Sequence, residues 1–281
     1  LIVVAGAKGG AGTTTIAVNL AVALAGKGRR TVVVDGDLGK GDVAAGCGLH
    51  GGPTIVDVLA GRRRVAEALR PGPAGLRIVP GAWATGRLTD CDASAQERLI
   101  YELRGLDGVD TVVIDAGCGM HRILERFWRA ADQILLVTTT DDTSVMDAYA
   151  AVKTMSRRNC GVPVYAVVNQ AARREQARQA HARLAQACRR FLAMDVSCAA
   201  HLMASGEIAA AARRQTPFLL TAPVCQAAQT IKRLAEFLSP TTTNARSHPK
   251  GDKNSQRTIQ ALTVGRPIIR AGVGRLPAGK L

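Results

Sequence analysis

The chain has 281 residues, 47% of them hydrophobic and only 3% aromatic, and carries a formal net charge of +15. That length holds one large α/β domain or two small ones, and a core this poor in aromatics must rest on Val, Ile, Leu and Ala, as a buried parallel sheet between helices does. No window approaches about 18 uninterrupted apolar residues, which excludes a helix that spans a membrane, and seven scattered cysteines with no CxxC pair argue against a disulfide framework or a zinc site and suit a reducing cytosol.

Leu1 stands where a start Met would be expected, which reads as a trimmed N-terminus. The apolar run 2–5 passes straight into glycines with no charged leader, unlike a signal peptide. It predicts a buried strand. Residues 14–24 repeat apolar side chains at helical spacing and reach Gly26 and Gly28, a helix with a glycine stop. Residues 31–34 form a second β-branched strand closed by Asp35. Strand, glycine loop, helix and strand make one right-handed βαβ unit.

The pattern recurs. Strands are predicted at 76–79, 111–114, 133–138, 163–168 and 196–201. Helices are predicted at 93–106, 122–131, 143–156, 172–190, 207–214 and 224–238. Such alternation implies an α/β fold, a mostly parallel doubly wound sheet flanked by helices, with ligands at the carboxyl ends of the strands. From Ser239 onward eight Lys/Arg face a single Asp in a stretch rich in Pro, Gly, Ser, Thr and Asn. The expectation is a folded domain over 1–238 and a basic, disordered tail over 239–281. A solvated terminus is its plainest reading; contact with an acidic lipid or nucleic acid is the sharper one.

The chemistry gathers at three strand ends. Gly6-Ala7-Lys8-Gly9-Gly10-Ala11-Gly12-Thr13-Thr14-Thr15 opens directly into a helix. Its glycines let backbone amides approach an anion, and the helix N-terminus adds partial positive charge. A hydroxyl from Thr14 or Thr15 is placed to reach Mg2+. Asp35 with Asp37, and Asp115, close two further strands. Carboxylates converging on a polyphosphate make sense only with a cation between them.

With these residues in view the chain resembles the MinD/ParA group of P-loop ATPases, over residues 1 to about 238. Its first loop is similar to that group's deviant Walker A motif, KGGxGK[ST][ST]. The resemblance implies ATP or ADP with Mg2+ as ligands. It places Gly9, Gly10, Ala11, Gly12, Thr13 and Thr15 in the phosphate cradle, and Thr14, Asp35 and Asp115 around the metal. It makes Lys8 the signature lysine that reaches the opposing subunit of an ATP-dependent homodimer. Val33-Val34-Asp35-Gly36-Asp37-Leu38 resembles switch I, with Asp37 positioning the attacking water. Val113-Ile114-Asp115-Ala116-Gly117 resembles Walker B with switch II, and Asn169, just past its strand, falls where the family contacts adenine.

Within the group, Asp57–Arg63, Gly75–Gly81, Val137–Tyr149 and Arg214–Phe218 look most like the flagellar number and placement regulators of the FlhG/FleN (YlxH) type. That implies an ATP-binding switch in the cytoplasm with a partner protein in the flagellar machinery. It leaves peripheral contact with the inner face of the cell membrane open. The sequence departs from the motif at Thr13, where the P-loop lysine is expected, so hydrolysis should be slow or impaired. A similar lysine-less loop occurs in the pilus-assembly (CpaE/TadZ-like) branch, which keeps a pilus or chromosome-partitioning ATPase as the alternative. Ser205 falls where many relatives carry Asp near the adenine pocket.

Other readings compete residue by residue. Gly6, Gly10 and Gly12 with Asp35 also fit a dinucleotide fingerprint, and Tyr149 and Lys153 have the YxxxK spacing of short-chain dehydrogenases. No serine stands at the position ahead of Tyr149 that such an enzyme needs. Cys118 and His121 beside Asp115 lack a positioned base for nucleophilic work. The arginines of 62–64 and of 172–190 read first as solvated faces, and otherwise as contacts to an acidic partner or to nonspecific DNA. A membrane-binding helix at 258–276 is broken by Gly265, Pro267, Gly272 and Gly274.

Overall fold

The structure is a computed structural model and describes residues 1–38, 41–82, 92–119, 122–157 and 161–239. The first βαβ unit is β1 (Ile2–Gly6), α1 (Thr13–Ala25) and β2 (Thr31–Asp35). Short helices α2 (Asp42–Ala45), α3 (Ile55–Leu59) and α4 (Val65–Ala68) lead to β3 (Arg70–Pro71) and β4 (Arg77–Val79). The chain continues through α5 (Ala93–Arg104), β5 (Thr111–Cys118), α6 (Arg122–Ala130), β6 (Gln133–Thr138), α7 (Asp142–Arg157) and β7 (Val164–Ala171). It ends with α8 (Arg174–Leu192), β8 (Val196–Met203), α9 (Gly206–Arg213), α10 (Phe218–Thr221) and α11 (Gln226–Leu238). Residues Leu1–Ser239 form one compact unit. The basic tail and the 258–276 segment lie outside the described residues, apart from Ser239 itself.

The eight strands lie in the order β3-β4-β2-β5-β1-β6-β7-β8. Every pairing is parallel except β3 with β4, which is antiparallel at the sheet edge. β1 sits between β5 and β6, so the chain winds one way to β2 and β4 and the other way to β6, β7 and β8. The loops after β1, β2 and β5 therefore open on one crevice, the place where doubly wound sheets bind ligands.

The strands read as unbroken apolar runs because both faces are covered. Val32, Val34, Ile114, Leu136 and Val168 pack with α3–α8 on one face. Val33, Val113, Leu135, Val137 and Val167 pack with α1, α10 and α11 on the other. The period of two that marks a strand survives, hidden under a uniform composition. Among the described residues no helix is long and apolar enough to cross a membrane.

Several boundaries differ from expectation. β5 continues through Asp115 to Cys118, so Asp115 lies inside a strand rather than beyond its end. β7 extends to Ala171, so Asn169 is a strand residue and not one just past it. The short elements α2, α3, α4, α10 and β3 carried no sustained period in sequence; each is held by contacts with the larger elements. The expected mostly parallel sheet flanked by helices is observed, with β3 as an additional antiparallel edge strand.

Candidate nucleotide site

The loop between β1 and α1 is shaped by its glycines. Gly10 and Gly12 have φ of 81° and 89°, backbone that side-chain-bearing residues adopt only under strain. A Cβ at Gly12 would also collide with Nδ2 of Asn169. Helix α1 starts with Gly12 as N-cap and with no side-chain cap, so its first-turn amides are left for an outside acceptor.

Asn169 and its neighbour brace this loop from β7. Asn169 Nδ2 donates to Ala11 O at 2.8 Å and Gln170 Nε2 donates to Gly10 O at 2.9 Å. Gln170 takes a left-handed φ of 58° to do so. Asn169 is thus buried against the cradle. Lys8 is exposed, and its Nζ donates to Thr143 Oγ1 at 3.3 Å across to the start of α7. Thr13 is buried, with Oγ1 turned onto Gly6, whose missing side chain makes the room.

Below the loop lie the carboxylates. Asp35 and Asp115 are directly paired neighbours on β2 and β5, and both are fully buried. Asp35 Oδ2 accepts the Val43 amide at 2.9 Å, from the start of α2, while Asp115 Oδ1 accepts the Gly117 amide at 3.3 Å. The second oxygens, Asp35 Oδ1 and Asp115 Oδ2, are buried with no hydrogen-bond partner. Burial, with Asp115 adding repulsion, raises Asp35 well above the usual carboxylate range. Burial also pushes Asp115 up to about 6, against hydrogen bonds from the Thr14 hydroxyl and the Gly117 amide that pull it down. Asp37 packs against Gly117, whose φ is 64°. Gly36 leaves room for Phe127, a fully buried ring of α6; a Cβ on Gly36 would sit 2.8 Å from it.

Two orphaned carboxylate oxygens beside a threonine hydroxyl fit a hard divalent cation, which takes oxygen ligands. Among the described residues no three His, Cys, Asp or Glu side chains group tightly enough to hold a metal by themselves. Water and phosphate oxygens would complete the shell, as is usual for Mg2+. A cleft of about 340 Å³ opens beside the loop, lined by Thr14, Thr15, Asn19, Asp42, Gln215 and Pro217 among others. Of the predicted residues Thr14 and Thr15 line this cleft, while Asp35 and Asp115 stand side by side on β2 and β5 and Asn169 holds the loop at Ala11. Tyr149 and Lys153 do not line it; Tyr149 faces a groove between α7 and α8. Cys118 is half-buried at the end of β5, and His121 lies outside the described residues.

The CobQ/CobB/MinD/ParA nucleotide binding domain model matches residues 2–239. The chain belongs to this family. Among its relatives, the antiactivator FleN of Pseudomonas aeruginosa is 32% identical over 251 residues, covering 88% of this chain and 90% of FleN. The flagellum site-determining protein YlxH of Helicobacter pylori is 29% identical over 184 residues, or 65% of this chain and 62% of YlxH. The septum site-determining protein MinD from Pyrococcus horikoshii OT3, solved with Mg-ADP, shares the fold at a TM-score of 0.70 and 24% identity, covering 85% of this chain and 95% of that one.

As a CobQ/CobB/MinD/ParA family member the chain is a nucleotide-binding protein of P-loop architecture. Within that frame, sequence reasoning missed Val43, Gln170, Phe127 and Thr143. A glycine at 36 before an acidic residue hinted at a close approach, but nothing local named Phe127 as the approaching group. The other three are brought in by backbone or by elements more than a hundred residues away.

Proposed function

We propose that this chain is a slow ATP-dependent switch that pairs two copies around ATP and Mg2+ and regulates flagellar number or placement. The buried, orphaned oxygens of Asp35 and Asp115 under the amides of α1 carry the reading. Burial raises the proton affinity of both carboxylates, and a divalent cation would offset that cost of burying their charge. Thr14, Asp35 and Asp115 would hold Mg2+, directly or through water, and the ion would supply charge neutralisation for the phosphates. The amides at Gly9–Thr15 bind the phosphate oxygens.

Asp37 orients the water that attacks the terminal phosphate. Lys8 leaves Thr143 and crosses to the nucleotide of the other copy, adding the positive charge that Thr13 does not bring. The names of the FleN and YlxH relatives, and the Mg-ADP of the MinD neighbour, support the flagellar role and the ligand. The test is the mass of the purified protein in solution with and without ATP–Mg2+. It should double with ATP–Mg2+ and stay monomeric with ADP, and Asp37→Ala should preserve the ATP-bound dimer while abolishing turnover. A mass indifferent to ATP–Mg2+ sinks the switch, and unchanged turnover in Asp37→Ala removes that residue's role.

A further inference from the structure

Far along the chain from the P-loop, three arginines converge without a counter-charge. Arg174 and Arg178 stand one turn apart on α8 and so share a face. Arg233 comes from α11, and His201 from the edge strand β8 between them. With Ala199, Ala200 and Thr230 they line a pocket of about 490 Å³ that contains no carboxylate. It shares no lining residue with the cleft at α1.

Arg30, Arg62, Arg104, Arg126, Arg183 and Arg189 each hold an acidic side chain. Arg174, Arg178 and Arg233 hold none, and make no side-chain hydrogen bond among the described residues. His201 is partly buried with its Nε2 at 3.1 Å from Cys198 Sγ. Its basicity is lowered by burial and by the charges of His181, Arg174 and Arg178. The uncapped N-terminus of α8 adds to the same positive field. Gathering three like charges from two helices costs stability through self-repulsion unless an anion relieves it.

We propose that Arg174, Arg178, Arg233 and His201 form a second anion site that binds the phosphate group of a compact phosphorylated molecule. Guanidinium forks match phosphate oxygens two at a time. The small side chains of Ala199 and Ala200 in the lining leave room for them. The grouping of three arginines on one small pocket favours a compact phosphate over the extended backbone of a nucleic acid, whose contacts would spread along a surface.

The test uses the full chain and inorganic pyrophosphate as the probe, followed by the side-chain nitrogen signals of arginine and histidine in magnetic resonance. Saturable shifts at His201 and at the three guanidinium groups are expected. Arg178→Gln/Arg233→Gln should weaken that binding by about tenfold or more, while Arg63→Gln leaves it unchanged. The double variant should melt no lower than the parent, because it loses repulsion and no partner. Arg174→Gln serves as an independent variant and should weaken the same shifts. Absence of saturable shifts at His201, or equal affinity in the double variant, overturns the site. So does binding to duplex DNA, salt-dependent and lost in the double variant, with none to pyrophosphate.

Discussion

At the scale of single residues the site turns on charge that is present without its complement. Thr13 sets one such gap. Its hydroxyl lies over Gly6 and, being neutral, brings no cation to a phosphate. Thr13→Lys must send its side chain out of that niche, where a charged hydrogen bond to phosphate contributes about 1.5–3 kcal/mol. ATP affinity, read by calorimetric titration, should rise roughly ten- to hundredfold. Asp115 sets the other. Its carboxyl keeps a proton up to about 6, against 3.8 for a free group. The folded state therefore binds more protons than the unfolded chain between those values, and ligand-free stability falls as pH rises through that window. The two-unit shift corresponds to at most about 3 kcal/mol. Asp115→Asn should flatten this part of the stability–pH curve, measured by denaturant unfolding without nucleotide; an equal slope in the variant would contradict the assignment.

Among elements, the decisive contact joins β7 to the loop before α1. β7 runs past Asn169, and that extension lets two adjacent amides, Asn169 and Gln170, fasten the carbonyls of Ala11 and Gly10. A loop of glycines has high conformational entropy, and bonds to its carbonyls keep its amides aimed at the crevice. Asn169→Ala removes a buried hydrogen bond worth about 1 kcal/mol. It also leaves the Ala11 carbonyl unpaired. Nucleotide affinity should drop by about fivefold, with the fold intact by circular dichroism. If Asn169 served only the base, the loss would be confined to nucleotides and inorganic pyrophosphate would bind as before; a brace predicts loss for both.

For the whole molecule, two apolar layers hold one sheet, and the crevice lies where its winding direction reverses. Ligand binding at that reversal ties β1, β2, β5 and α1 together, so ATP–Mg2+ should raise the melting midpoint of the intact protein. At a hundredfold excess over the dissociation constant the gain is about 2.7 kcal/mol. Scanning calorimetry with ATP, with ATP–Mg2+ and with a chelator checks it, and ATP alone should stabilise less. The sequence by itself determined the layered α/β class and the mostly parallel sheet, and it named the cradle glycines and the aspartates at 35, 37 and 115 as candidates. Backbone geometry and charge pairing are local there, so the residue types announce them. Only the tertiary structure decided that Asp35 and Asp115 lie side by side with orphaned oxygens, that Asn169 braces the loop, and that three arginines line one pocket with His201. Those facts depend on strand register and on packing between distant segments. A chain read one window at a time does not contain them.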